Sequence, residues 1–461
     1  MVEEMSFRRN PVSIQHGSTE FAEVCACNKK DASSPGLWLG RHDMGSRLNH
    51  FAITSSFQFM PEKSPAGNLL SSDQLAKARA LFPHVSQGKI YLNHAATSPL
   101  SARVVEAMTT HLRERSCGWI DNYPDDVKKK DECRGFIQKI IHAESPDRIA
   151  LVGSTSEAIN IVSSGLPWQS GDRVILNDME FPANVYPYLP LRRCGVELDF
   201  LKCPNHKITP ESIAAALTPR TRVVALSAVQ FLTGYRADMA AIGDLLSRSR
   251  DVFFVVDGIQ AVGGVQVDVQ KMKIDALAAG CQKWQMAPHG TGFLYLTEAL
   301  QDNITPQHVG WLAAHNPWDF FNFDQPLAAS ARRYEGGTLN IPGIWAVHAA
   351  LRTLLEFGLA EIEDHILTLT QILTGELQNL DGVELLSPIS PQERAGIVTI
   401  QLPAKIDVNA VFQHITSQNI TISLRDGKLR YSPHFYNSPE EILLAVAATR
   451  EARSGSFRSK M

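Results

Sequence analysis

Lys283 lies in the run Gly280-Cys281-Gln282-Lys283-Trp284, among small and apolar residues. A lysine desolvated in such surroundings has a lowered pKa and becomes a nucleophile toward a carbonyl carbon. The run VFFVVDGIQ ends in Asp257 and Gln260. A carboxylate at the tip of a wholly apolar strand is costly unless something partners it. A capped turn meets that need, and so does the protonated ring nitrogen of a bound heterocycle. Upstream, Ser154-Thr155-Ser156-Glu157 opens a stretch with helical spacing. Its hydroxyls and free backbone N–H groups suit either an ordinary N-cap or a bound anion. Phe181, in Met179-Glu180-Phe181-Pro182, offers a flat face to an aromatic ligand, or else belongs to the core.

Elements of two kinds must position these residues. Strand-like runs are KIYLNH, RIALVG, RVILND, VELDFLK, RVVALS, VFFVVD, DALAAG and GFLYL. Most are short, apolar and β-branched without alternation, as expected of strands buried on both faces of a mostly parallel sheet. Between them SEAINIVSSGL, ANVYPYLPLRRC, TPESIAAAL and DMAAIGDLLSRS carry helical spacing. The alternation predicts a doubly wound α/β domain over about residues 100–335. In such a sheet ligands bind beyond the C-terminal ends of the strands, where the candidate residues fall. Past residue 340 come two helical stretches divided at Gly358, then GIVTIQLP, NITISLR and KLRYSP as strands and PEEILLAVAATREA as a closing helix. The expected organisation is a large α/β domain over 73–340 and a smaller α+β domain over 341–461. Residues 1–72 show no sustained period and are punctuated by Gly, Ser, Pro and Asn. They read as an irregular or disordered extension, consistent with a chain that starts at Met60.

Composition excludes several classes. The 461 residues allow two or three domains and carry a formal charge of −4, so no nucleic-acid footprint is expected. The run Lys128-Lys129-Lys130 reads as a solvated helix face. No apolar stretch is long enough to span a membrane, and the acidic start fits neither a secretory nor a transit signal. The seven cysteines are odd in number and lack a CxxC pair, which fits a reducing cytoplasm. Cys25-x-Cys27 is too closely spaced for a zinc knuckle, and no metal is expected. No GxGxxG or Walker loop follows the first strands, which weighs against a dehydrogenase or a nucleotide enzyme.

An acid for a ring nitrogen, an amine for an aldehyde and a cradle for a phosphate are together what pyridoxal phosphate (PLP) needs. The chain resembles fold-type I PLP enzymes of the class V aminotransferase superfamily. That group includes cysteine desulfurases, selenocysteine lyases, kynureninases and isopenicillin N epimerase-like proteins. The resemblance runs from about Tyr91 to Glu451. It rests on YLNHAATSPL, STSEAIN, EFPANVYP, VVDGIQ, KWQMAPHGTGFLY, RRYEGGTLNIPGI and LRYSPHFYN in that order. It implies a mostly parallel seven-stranded sheet sandwiched by helices, with a smaller C-terminal α+β domain. It also implies a Schiff base at Lys283, which then moves the proton at the substrate's Cα. Asp257 would hold the pyridine nitrogen, Gln260 the phenolic oxygen, and Phe181 would stack on the ring. Thr155, Ser156 and Gln282 complete the cofactor contacts. Thr338 would reach a neighbouring subunit's phosphate, which makes a homodimer the expected unit. Arg430, with Asn93, would bind the amino-acid substrate, because a guanidinium takes a carboxylate through two parallel hydrogen bonds.

The chain departs from desulfurases in three places. No cysteine follows Cys281, so the mobile cysteine that those enzymes use has no counterpart. Gln282 precedes the lysine where relatives often have His, and Gly280 stands where a hydroxyl or acid is common. Phe181-Pro182 and the run Gln230-Phe231-x-Thr233-Gly234-Tyr235 resemble the kynureninase and epimerase-like branch. The expected activity is therefore PLP chemistry at the Cα or Cβ of an amino acid, with C–S elimination placed ahead of epimerisation or transamination. A non-catalytic binding protein on the same fold is the further alternative. Arg425 is a second cation for either a second substrate carboxylate or a surface ion pair. The Trp- and Phe-rich stretch 311–333 suits a dimer-interface loop or an apolar substrate moiety.

Overall fold

The structure is a computed structural model that describes residues 68–249 and 251–454. The expected extension, up to residue 67, lies outside the described residues. The first described element is the helix Ser72–Ala80, where Ser71 and Gln74 cap each other's backbone N–H groups.

Seven strands form the central sheet. They are β2 (Ile149–Val152), β3 (Arg173–Asn177), β4 (Glu197–Leu201), β5 (Thr221–Ser227), β6 (Phe253–Asp257), β7 (Ala276–Gly280) and β8 (Gly292–Leu296). Their order is β2-β8-β7-β6-β5-β3-β4. All neighbours pair in parallel except β8, which runs antiparallel to both β2 and β7. Strands β6, β7 and β8 are buried along their whole length. Although nearly every side chain there is apolar, the pleat still sorts them. Val224, Leu226, Phe254 and Val256 join one core cluster, and Val223, Ala225, Phe253 and Val255 join the cluster on the other face. Helices cover both faces, which makes the fold α/β and doubly wound, as expected.

The C-terminal part builds a second, antiparallel sheet from β9 (Glu384–Leu385), β10 (Val398–Gln401), β12 (Ser423–Arg425) and β13 (Lys428–Tyr431), in the order β12-β13-β10-β9. The first strand-like run, KIYLNH, does not enter the central sheet. Its strand β1 (Ile90–Tyr91) pairs in parallel with β11 (Ile420–Thr421). Just after β1, Asn93 bridges to Ser432, and Ala95 and Ala96 reach the cavity described below. The long helical stretch past residue 340 changes partners at Gly358. The helix Ile341–Phe357 packs on the helices Ala102–Cys117 and Tyr123–Ile141, and Leu359–Gln378 packs on Pro439–Ser454.

Two local expectations fail. The stretch ANVYPYLPLRRC forms 3-10 turns at Pro182–Asn184 and Tyr186–Cys194 rather than an α-helix. Pro187 and Pro190 lack the N–H that α-helical bonding requires. The Lys128–Lys130 run is not wholly solvated. It lies on the helix Tyr123–Ile141, and Lys130 turns inward and is buried. Its ammonium lies 5.6 Å from the centroid of the Tyr123 ring. Burial pushes its pKa down, and the Glu335 carboxylate opposes that shift. Among the described residues no helix is long and apolar enough to cross a membrane.

Candidate active site

A cavity of about 290 Å³ opens beyond the C-terminal ends of the parallel strands. The ends of β6 and β7, the start of the helix Thr155–Gly165 and the sheet strands β12 and β13 all reach it. Nine of the sequence candidates meet there: Thr155, Ser156, Phe181, Asp257, Gln260, Gln282, Lys283, Arg425 and Arg430.

Asp257 is the last residue of β6 and is 1% exposed. Its Oδ1 accepts the Ile259 N–H at 2.9 Å, as the turn-capping reading requires. Its Oδ2 is buried without any hydrogen-bond partner. Turn capping takes one oxygen and leaves the other open to a partner. Burial pushes the carboxyl well up, opposed by the Ile259 N–H and the Lys283 ammonium. Lys283 is 8% exposed. Burial pushes its ammonium down, Asp257 opposes this, and Arg430 and Arg425 push it further down. A depressed lysine supplies the neutral amine that carbonyl attack and proton abstraction need. Its Nζ lies 5.5 Å from the centroid of the Phe181 ring. Phe181 in turn meets Phe231 edge to face at 5.2 Å.

The backbone around Lys283 is held from several directions. Ser98 Oγ donates to the Lys283 carbonyl at 2.5 Å, and the Ser98 N–H donates to the Gln282 carbonyl at 2.9 Å. His434 Nε2 donates to the Trp284 carbonyl at 2.9 Å. Burial pushes His434 down to about 4, so it stays neutral in that role. The Trp284 Nε1–H donates to Gln260 Oε1 at 2.9 Å, and Gln260 Nε2 donates to the Ala95 carbonyl at 3.0 Å. These two bonds fix which end of the Gln260 amide is nitrogen and leave its second N–H free to donate to a ligand. A Cβ on Gly264 would meet the Trp284 indole at 2.6 Å, so this ring needs a glycine-lined slot. Gly280 has a similar cause. A Cβ there would meet Gln282 Oε1 at 2.5 Å, so the missing side chain makes room for Gln282.

At the other end of the cavity Ser154 caps its helix, its Oγ accepting the Glu157 N–H at 3.1 Å. Thr155 Oγ1 accepts the Gly280 N–H at 2.8 Å and keeps its own proton to donate. Ser156 faces the cavity with no such commitment. This hydroxyl-bearing helix start fits a phosphate. An orphaned acceptor at Asp257 fits a ring N–H, and an edge-to-face aromatic pair over the lysine fits a flat ring. The residues present therefore fit PLP as a group.

Arg430, on β13, is 2% exposed. It donates from Nη1 to the Phe231 carbonyl, and its Nε has no partner. Among the described residues it makes no ion pair with an acid. Burial pushes it down to about 10, with Arg425 adding to the effect. Arg425, at the end of β12, is an exposed rim residue of the same cavity, its Nε donating to Ser423 Oγ at 3.0 Å. Two sequence candidates do not line the cavity. Asn93 is half-buried with an unpartnered Oδ1, its backbone bridged to Ser432. Thr338 is exposed on the segment before the helix Ile341–Phe357.

Sequence reasoning missed Glu180 and Ser98. The Glu180 carboxylate accepts from Asn177 Nδ2 at 2.6 Å, the Ser227 N–H at 2.9 Å, Asn184 Nδ2 at 3.0 Å and Gln230 Nε2 at 3.1 Å. It anchors the turn that presents Phe181. Its neighbours in EFPANVYP were visible, but its donors come from three separate segments.

The profile described as aminotransferase class V matches residues 90–435. A probable cysteine desulfurase of Methanothermobacter thermautotrophicus is 29% identical over 378 residues, 77% of this chain and 92% of the relative. The isopenicillin N epimerase of Streptomyces clavuligerus is 29% identical over 336 residues, 68% of this chain and 81% of the relative. Among solved structures, a mutant of a cystine C–S lyase with glycine covalently linked to its PLP cofactor superposes with a TM-score of 0.74. It is 24% identical, over 81% of this chain and 99% of that one.

Proposed function

From the premise that this chain belongs to the aminotransferase class V family, we propose that it is a PLP enzyme that removes the Cα proton of an amino acid and cleaves its C–S bond by β-elimination. The observation that carries this reading is the joint presence, on one cavity, of an orphaned Asp257 oxygen, a depressed Lys283 and a buried Arg430 without an acid. Bound PLP supplies an aldehyde for the amines and a protonated ring that withdraws electrons from Cα. Asp257 Oδ2 accepts the ring N–H and keeps it protonated. The free N–H of Gln260 donates to the phenolic oxygen, and Thr155 and Ser156 donate to the phosphate, with Gln282 beside them. Phe181 covers the ring face. Arg430 grips the α-carboxylate.

Lys283 Nζ takes the proton from Cα and returns one to the departing sulfur. Among the described residues lining the cavity, Lys283 is the one amine placed to move a proton. A single base supports elimination ahead of epimerisation, for which a second group on the opposite face is the simpler arrangement. The sulfur leaves as a free thiol or sulfide. No cysteine follows Cys281, and burial pushes the Cys281 thiol up to about 12, which leaves it unreactive. For L-cysteine the balance is cysteine plus water giving pyruvate, ammonia and hydrogen sulfide.

We place the working unit as a homodimer in the cytoplasm. Phe321 and Phe323 are 91% and 88% exposed on the aromatic stretch that leads to Thr338, a patch that a partner subunit would cover. The cysteines described are all free, as a reducing compartment allows. The test is product analysis of the PLP-loaded protein with L-cysteine and S-methyl-L-cysteine. Pyruvate and a thiol in equal amounts are expected, with a loss of about 10²–10⁴-fold in Lys283→Ala. A loaded protein that consumes neither, or a Lys283→Ala variant with unchanged turnover, overturns the reading.

A further inference from the structure

One cation on this cavity, Arg425, has no acid partner among the described residues and no anion assigned to it among the expected contents. Its charged lining residues are Lys283, Arg425, Arg430 and Asp257, three cations against one carboxylate. Neither guanidinium lies within ion-pair distance of an acid among the described residues. The acid beside Arg425 is already used, since Asp426 pairs with Lys428 at 2.7 Å. Arg425 is not loose either, because its Nε donates to Ser423 Oγ at 3.0 Å, which holds the guanidinium at the rim. Its charge is felt at both inner cations, where it pushes Lys283 and Arg430 down.

A zwitterionic amino acid brings no anion to Arg425. Its α-carboxylate occupies Arg430 through both nitrogens of the fork, and its ammonium adds a further positive charge. The phosphate of the cofactor is provided for at the Thr155–Ser156 helix start. Arg425 is then left without a counter-ion at the open side, where the substrate's side chain must extend. Phe231 and Phe181 give the same cavity an apolar wall, and the Phe231 carbonyl takes the Arg430 hydrogen bond. That wall suits a short uncharged spacer between two anionic ends.

We propose that Arg425 binds a second anionic group of the substrate. The preferred substrate class is then an amino acid whose side chain ends in a carboxylate or a comparable anion, here a cysteine thioether bearing a carboxyl group. This rests on the β-elimination reading above and names the substrate class for that same site. Arg430 sets the α-carboxylate at the buried end, and Arg425 selects the side chain at the rim.

The test compares S-carboxymethyl-L-cysteine with its near-isosteric amide, S-carbamoylmethyl-L-cysteine, and with S-methyl-L-cysteine. Binding to the PLP-loaded protein is read from the change in the cofactor's visible absorbance and, independently, from calorimetry. The carboxylate is expected to bind about tenfold or more tightly than the amide. In Arg425→Gln that ratio should fall to about one. Equal binding of acid and amide by the wild type overturns the inference and leaves the enzyme reading intact, as long as the ligands bind. So does an Arg425→Gln variant that loses affinity for PLP and for all three ligands alike, since Arg425 would then serve the phosphate. If none of the three ligands binds, the amino-acid reading itself falls, and this inference with it.

Discussion

Arg430→Gln separates a residue kept for a ligand from one kept for the fold. Arg430 is buried, has no acid partner, and keeps one hydrogen bond, to the Phe231 carbonyl. Its drop from 12.5 to about 10, at roughly 1.4 kcal/mol per pH unit, corresponds to roughly 3 kcal/mol against the charged form. That penalty is fully present at pH 7, below both values, where the side chain is charged in the folded and unfolded chain alike. Removing the charge returns it. Against that stands the charge-assisted bond to Phe231, worth roughly 1.5–3 kcal/mol. The two nearly cancel, so cofactor-free Arg430→Gln should differ in stability by less than about 1.5 kcal/mol. Truncating one partner of an ordinary buried ion pair costs roughly 3–5 kcal/mol instead. Affinity for amino acids should fall by roughly 2 kcal/mol or more, about thirtyfold in Kd, because a charged, desolvated partner of the carboxylate is gone. Urea denaturation of the cofactor-free protein and ligand titration of the loaded protein measure the two effects. A variant destabilised by more than about 3 kcal/mol that still binds amino acids like the wild type would refute the reasoning.

Two further outcomes follow from the same geometry. In the cofactor-free protein Asp257 is held up near about 7, chiefly by burial, so between about pH 4 and 7 the folded chain binds a proton that the unfolded chain has lost. Its contribution therefore falls as pH rises through that window, and Asp257→Asn should gain stability relative to wild type from pH 4 toward pH 7. A constant difference across the window in denaturation midpoints sinks this assignment. Trp284→Phe removes the donor to Gln260 Oε1 and leaves a buried acceptor unsatisfied, at roughly 1–3 kcal/mol. It also frees the Gln260 amide to turn over, so the visible absorbance of bound PLP should shift. Unchanged stability with an unchanged spectrum would show that the indole only fills space.

Much of the site was legible because strand tips are short-range features. Asp257 follows five apolar residues, Lys283 follows the next apolar strand, and Ser154 to Ser156 open a helix. Each is a local pattern, and a parallel sheet brings such tips to one edge whatever the intervening loops do. The roles of the neighbours were not legible. Gly280 stood where a hydroxyl or acid is common, yet its small size accommodates Gln282. Tyr186–Cys194 had helical spacing, but two prolines deny it α-helical bonds. Lys130 looked solvated within a basic run, and tertiary packing turned it inward.

The amino-acid sequence by itself determined the α/β architecture, the family and the identities of the lysine, acid and arginine, because hydrophobic pattern and residue chemistry are properties of the chain alone. Tertiary structure decided which charges are left uncompensated. That Asp257 keeps one oxygen free, that Arg430 meets no acid and that Arg425 joins it on one cavity all depend on contacts between segments far apart in sequence. Burial sets the cost of a charge, and only the folded chain fixes burial.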